Sequence, residues 1–261
     1  MSHPLRSHRK PHKQPAAWPS YRGTAELVGS SPGGTVTVYV DPTLGAQGKQ
    51  NATDLMNGAD VVVNDNNAIF GTPGGPVSVI VFALNGATDG TGGADHGGCD
   101  YQNGNAIEVC ADFGNSTRVL ALFEAELSEC SMGGKLCGVS TGEALSRWCA
   151  AKTSNNALAD FASAPDWANA GYRDYVNTTD PTDQNPVSTG CGMAFISWLG
   201  AKQGSSLSAI AQGLVGLGGQ GTFAQLSQTL INNANPWPAF LADVQGLAGG
   251  VTSDNPFGAT F

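Results

Sequence analysis

Hydrophobic and polar positions change their period along the chain, and each change marks an element. Thr35 to Val40 alternates β-branched and aromatic residues and predicts a strand, stopped by Asp41-Pro42. Gln47 to Asn64 carries Leu55, Met56, Ala59 and Val63 near helical spacing and predicts a helix. Asn64 to Asn67 and Gly71 to Pro76 read as loops. Val77 to Leu84 is almost continuously apolar, as a strand covered on both faces would be. A Gly-rich stretch, Asn85 to Gly98, is too polar for a core. A short strand over Cys99 to Gln102, a turn at Asn103-Gly104 and a strand over Ala106 to Ala111 then form an expected hairpin. From Ser116 to Cys130 the period returns to helical, with Val119, Leu120, Phe123, Leu127 and Cys130 as the apolar stripe.

Beyond Gly133-Gly134 the chain reads as mostly helical. Ser140 or Thr141 caps a helix whose inward face carries Leu145, Trp148 and Cys149. Further helices are expected at Asn155–Ser163, Val187–Lys202, Leu207–Leu217, Thr222–Asn232 and Pro238–Leu247, with a polar loop from Asn177 to Pro186. The fold class expected is α+β: a mixed sheet and helices over residues 24–130, then a helical part over 131–250. Residues 1–23 read as a disordered basic tail and 251–261 as a C-terminal tail. The junction of the two parts is the natural place for a site.

Charge narrows the partners. Lys and Arg number 12 against 21 Asp and Glu, and Arg6, Arg9, Lys10 and Lys13 all precede residue 15. The rest of the chain carries 8 basic and 21 acidic residues, a charge of −13. Such a body repels phosphate backbones, so no nucleic-acid partner is expected. No apolar run reaches the roughly 20 residues of a membrane helix, so no membrane span is expected either. His3, His8 and His12 belong to the tail and read as disordered, with no apolar signal-peptide core behind them.

Six cysteines, with no C-x-x-C pair among them, point to disulfides and a secreted or periplasmic location. Of the 15 pairings six cysteines allow, the favoured set is Cys99–Cys110, Cys130–Cys137 and Cys149–Cys191. Buried cytosolic thiols are the alternative.

One constellation stands out chemically. Glu126 and Glu129 lie three apart on the Ser116–Cys130 helix, on one face and beside the apolar stripe. Like charges there raise each other's pKa, as burial does. Glu143 opens the next helix, so three carboxylates on successive helices can converge on a metal or a scissile bond. A reading without function is also available: Ser140 and Glu143 match the S-x-x-E capping box, and Glu129 suits a solvated face. Trp148 and Trp198 read as core. Trp167 and Tyr172, near Pro165 and Gly171, read as exposed and able to contact substrate. There is no P-loop and no G-x-G-x-x-G that follows a predicted strand.

This order of elements resembles the zincin-type metallopeptidases. Their gluzincin branch carries H-E-x-x-H on the active-site helix and N-E-x-x-S on the following one. The corresponding residues here are Ala125-Glu126-Leu127-Ser128-Glu129 and Gly142-Glu143-Ala144-Leu145-Ser146. The resemblance, over Thr35 to Ala151, places Glu126 at the general base and Glu143 at the third zinc ligand. Ala125 and Glu129 stand where the two zinc histidines belong. It therefore implies a zincin-like scaffold without its zinc: no tightly bound zinc is expected, while weak oxygen-ligated Ca²⁺ or Mn²⁺ stays open. His96, in the Gly-rich loop ahead of the hairpin, falls where the family's substrate cleft runs and joins Glu126, Glu129 and Glu143 as the fourth candidate; Asp95 and Asp100 are weaker ones. The leading expectation is a secreted hydrolase with Glu126 as general acid or base, acting on peptide by family default. The alternatives are a glycoside hydrolase with paired carboxylates on a polysaccharide, or a non-catalytic zincin-like binding protein.

Overall fold

A computed structural model of the chain describes residues 17–83, 93–102, 106–111 and 115–261. The architecture is mixed α/β. Among the described residues there are five strands, which form one mixed sheet, and eight α-helices. The strands are β1 (Glu26–Ser30), β2 (Val36–Val40), β3 (Val77–Phe82), β4 (Ala94–His96) and β5 (Ala106–Cys110), in spatial order β1-β2-β3-β5-β4. β2, β3 and β5 run parallel; β1 and β4 close the two edges antiparallel. Helix α1 (Gly45–Phe70) crosses over between β2 and β3, as a parallel pair requires. The helices that follow are α2 (Ser116–Ser131), α3 (Ser140–Ser154), α4 (Ala164–Asn169), α5 (Pro186–Gln203), α6 (Leu207–Leu217), α7 (Phe223–Ile231) and α8 (Trp237–Gln245).

The period-two alternation sorts the sheet's faces. Val38, Val79 and Ile107 pair in register and share one face, which α1 and α2 cover. Tyr39, Ile80 and Glu108 form the next row and point the other way. That second face is covered by the segment just before β1. Trp18 meets Tyr39 edge to face at 5.5 Å, and Tyr21 meets Phe82 at 5.3 Å. Glu108, fully buried, accepts from the backbone of Ser20 (2.9 Å) and Tyr21 (2.7 Å) and from the Ser20 hydroxyl (2.6 Å). The expected tail therefore ends earlier than residue 23: Trp18 and Tyr21 belong to the core, and residues 1–16 lie outside the described residues.

Several further expectations are corrected. α1 runs through the expected loop Asn64–Asn67 to Gly71, whose φ of 72° ends it. Asn66, Ile69 and Phe70 continue its buried face, and a polar residue bonded inside the core looks like a loop signal in sequence. The edge strand is Ala94–His96 rather than Cys99–Gln102, which is a turn; the expected Asn103-Gly104 turn lies outside the described residues. Only a short 3₁₀ turn, Ala159–Phe161, forms within the helix expected over Asn155–Ser163. Trp167 is fully buried, stacked on Phe240 at 5.5 Å and donating Nε1–H to the Arg173 carbonyl, so it is no substrate contact; Tyr172 packs edge-on against it at 5.1 Å. The 251–261 segment is tied down rather than a tail: Asp254 accepts from the amides of Ser163 and Ala164, and Asn255 bonds Ser197 and Ala259.

The cysteines also differ from expectation. One disulfide joins Cys99 to Cys137, which excludes Cys99–Cys110 and Cys130–Cys137. The antiparallel register explains the first: Cys110 donates its amide to Gly93 at one end of the β4–β5 pair, while Cys99 follows the other end. Cys149 and Cys191 are buried thiols with different neighbours, Cys149 bonding the Ser128 hydroxyl and Cys191 the Tyr175 backbone. Cys110 is likewise a buried thiol.

Two hydrophobic cores result. One lies around the sheet with α1 and α2; the other fills the helical part from Met132 onward and takes in Ile69 and Phe70 from the end of α1. In the second, Phe240 touches five aromatic rings: Trp167, Phe195, Trp198, Trp237 and Phe257.

Candidate functional site

A cleft of about 430 Å³ opens between β4, α2, α3 and the loop before α5. His96, Glu126, Glu129 and Glu143 all line it, together with Asp95, Arg147, Asp183, Asp254 and both disulfide cysteines.

α2 supplies the floor. The Asn115 side chain caps it, accepting from the Arg118 amide. Val119, Phe123 and Leu127 bury its apolar stripe, which turns Glu126 and Glu129 sideways into the cleft. β4 supplies His96 from the sheet edge. Its ring Nε2 lies 2.8 Å from Glu129 Oε2 and 3.7 Å from Glu126 Oε2, and all three side chains are about 85% buried. α3 supplies Glu143. Its Oε1 accepts from Arg147 Nε at 2.7 Å, and Arg147 Nη1 donates to the Phe161 carbonyl at 2.7 Å.

The capping-box reading of Glu143 fails. The N-cap of α3 is Val139, and Ser140 instead exchanges hydrogen bonds with Asp180: the two backbones pair, and the Ser140 hydroxyl accepts from the Asp180 amide. Freed from the cap, Glu143 faces the cleft.

The electrostatics follow from crowded acids in a half-closed space. Burial pushes the Glu126 carboxyl well above the usual carboxylate range, and Glu129, Glu143, Asp95 and Asp183 push it the same way. Both effects favour the protonated form of Glu126. Burial also raises Glu143, although the Arg147 guanidinium pulls it back. For His96, burial disfavours the charged ring, but the Glu129 hydrogen bond and charge, with Asp95 and the Gly98 backbone, outweigh it and raise its pKa. The arrangement thus sets a carboxyl whose protonated form is favoured beside a hydrogen-bonded His96–Glu129 pair, groups of the kind that donate and accept protons.

The donor set does not fit a zincin-type zinc. It offers a single imidazole nitrogen, already bonded to Glu129, and the nearest sulfur, Cys99 Sγ at 4.0 Å from Nε2, is held in a disulfide.

Arg147, Asp183 and the disulfide were not legible as site residues. Arg147 stands one helical turn after Glu143, and that spacing was its signal. Glu124, one turn back from Ser128 on α2, was also missed. It is fully buried, burial raises its pKa well above the usual range, and the Asn66 amide donates to its Oε1 at 3.2 Å. It lies away from the cleft, in the packing of α1 against α2. No protein-family model and no curated protein matches the sequence.

Proposed function

We propose that the cleft is the active site of a secreted hydrolase that cleaves extended peptides by carboxylate acid–base chemistry on a zincin-like scaffold. One observation carries this reading: Glu126, largely buried and with its pKa raised, sits beside the His96–Glu129 pair in the cleft. Two carboxyl groups of which one holds the proton are the working parts of metal-free amide hydrolysis. Glu126 donates its proton to the carbonyl oxygen as a water attacks, and Glu129 accepts the proton of that water; as the C–N bond then breaks, Glu129 passes that proton to the leaving amine nitrogen and Glu126 recovers one from the hydroxyl of the adduct. His96 orients Glu129 through their 2.8 Å hydrogen bond.

The sheet edge supports a peptide substrate. Gly93 O accepts from Cys110 N, and Gly97 N donates to Ala106 O. Between these bonds, antiparallel alternation turns the backbones of Ala94 and His96 away from β5, toward the cleft side. No described strand pairs there, so an extended peptide can add to β4. The disulfide is compatible with an extracellular location, and no helix among the described residues is long and apolar enough to cross a membrane.

The test is hydrolysis of casein and of common polysaccharides between pH 4 and 8 by wild type and Glu126→Gln. Peptide hydrolysis reduced at least ~10²-fold in the variant is expected. Cleavage of polysaccharide alone would transfer the same carboxylates to glycoside hydrolysis. Full peptidase activity in Glu126→Gln would dismiss the site, and no cleavage by wild type would leave a peptide-binding module.

A further inference from the structure

We propose that reduction of the Cys99–Cys137 disulfide converts the rim of the cleft into a zinc site made of Cys99, Cys137, His96 and Glu129. The inference stands apart from the hydrolytic reading, because it concerns metal binding by residues of which only His96 and Glu129 are shared.

Geometry brings the donors together. Ligand atoms of His96, Cys99 and Glu129 all lie within 4.8 Å of one another. His96 Nε2 is 2.8 Å from Glu129 Oε2 and 4.0 Å from Cys99 Sγ. Donors on a tetrahedral zinc stand about 3.3–3.6 Å apart for these atom types, so the two separations at His96 need a shift of roughly half an ångström each, and the Cys99–Glu129 separation, within 4.8 Å, must close to the same range. The fourth donor, Cys137 Sγ, is bonded to Cys99 Sγ and needs only to swing away to the ~3.8 Å edge of a two-thiolate site. The disulfide is what prevents this set from forming: it removes both thiolates at once.

The scaffold keeps the set in place after reduction. His96 ends β4, and Gly97-Gly98 carries the chain to Cys99, the two-residue spacer that sets paired ligands on one turn. Glu129 is fixed on α2. Cys137 lies in the segment from α2 to α3, and that segment is bonded to the Cys99 turn independently of the sulfurs, Gly134 N donating to Cys99 O at 2.6 Å. Cys137 is exposed and Cys99 half-buried, so a reductant reaches the bond. The carboxylates of Asp95 and Glu143 in the same cleft favour a divalent cation.

The chemistry balances with a dithiol or a phosphine as reductant. A dithiol is oxidised to its cyclic disulfide while the protein disulfide gains two electrons and two protons; a phosphine ends as its oxide, with oxygen from water. Zinc then displaces the two thiol protons and binds the thiolates. With four protein ligands the site is closed. Where the cleft is hydrolytic, the metal takes Glu129 and His96 out of its proton chemistry, and reduction acts as an off-switch.

The experiment uses the full chain, oxidised or reduced with a phosphine, dialysed against zinc, with bound metal counted per chain. Cobalt(II) is used in parallel for its thiolate charge-transfer and tetrahedral bands. Reduction should add about one zinc per chain, with the cobalt–thiolate bands appearing only in the reduced protein. His96→Ala and Cys99→Ser, which leave His3, His8 and His12 intact, should abolish the gain. Equal zinc in both redox states, or an undiminished gain in His96→Ala, would overturn the proposal. Circular dichroism guards against loss of fold: if the reduced chain unfolds, recovery of helix on adding zinc supports the site, and no recovery overturns it.

Discussion

Arg147 donates from Nε to Oε1 of Glu143 at 2.7 Å, one turn along α3, and so holds in the cleft a carboxylate that the sequence offers equally to a helix cap. The pair is largely buried, with side chains 27% and 20% exposed. A double-mutant cycle on Glu143→Ala and Arg147→Ala should give a coupling of roughly 1 kcal/mol or more. The cycle on Glu143→Ala and Ser140→Ala should give less than about 0.5 kcal/mol, because those side chains share no bond. The reverse ranking would restore the capping box.

The protonation pattern fixes the sign of the pH dependence. His96, Glu124, Glu126, Glu143 and Asp254 all have raised pKa values in the fold. The folded chain therefore binds more protons than the unfolded one between the unfolded values, about 4 for the carboxyls and about 6.5 for His96, and the higher folded ones. Their contribution is fully present below the unfolded values and is lost as pH rises through the folded ones. The melting temperature should fall between pH 5 and pH 8, and Glu124→Gln should flatten that fall. A melting temperature that rises steadily over the same range would contradict the assignment.

Removing the disulfide should cost stability as well as release ligands. Its 38-residue separation corresponds to about 4 kcal/mol on the chain-entropy account. Urea unfolding of Cys99→Ser/Cys137→Ser without zinc should show a loss of that order; an unchanged midpoint would mean the bond closes a loop already closed by packing.

The second core should depend heavily on one ring. Phe240 is fully buried among five aromatic partners, so Phe240→Ala should cost about 3–5 kcal/mol, measured by denaturant unfolding. A loss below 1 kcal/mol would show that its neighbours collapse into the space.

Elements written in local periodicity were legible in the sequence. β2, β3 and α2 declare themselves by runs of apolar residues at spacings of two or three to four, and α5 to α7 form where the helices Val187–Lys202, Leu207–Leu217 and Thr222–Asn232 were expected. The convergence of Glu126 and Glu129 followed from helical spacing alone. What stayed hidden depends on partners far along the chain. Asn66 sits in a helix because its side chain donates to Glu124 Oε1 and accepts from the Ser128 backbone amide. Cys99 meets Cys137 because β4 begins at Ala94, ahead of the Cys99 at which the hairpin signal placed its start. Glu143 leaves its cap because a loop forty residues away supplies Asp180 for Ser140.

The bond from Glu108 to the first residues of the core has a consequence for how the chain is handled. Helices shelter one side of the sheet, and the other side is roofed by a strip of peptide held by a single acidic side chain. A version of the protein beginning at Thr24 would strip that roof, leaving Tyr39, Ile80 and Phe82 facing water and Glu108 with three hydrogen-bond donors gone. Such a trimmed chain should self-associate through the bared strands, even though every helix around the cleft would still be present.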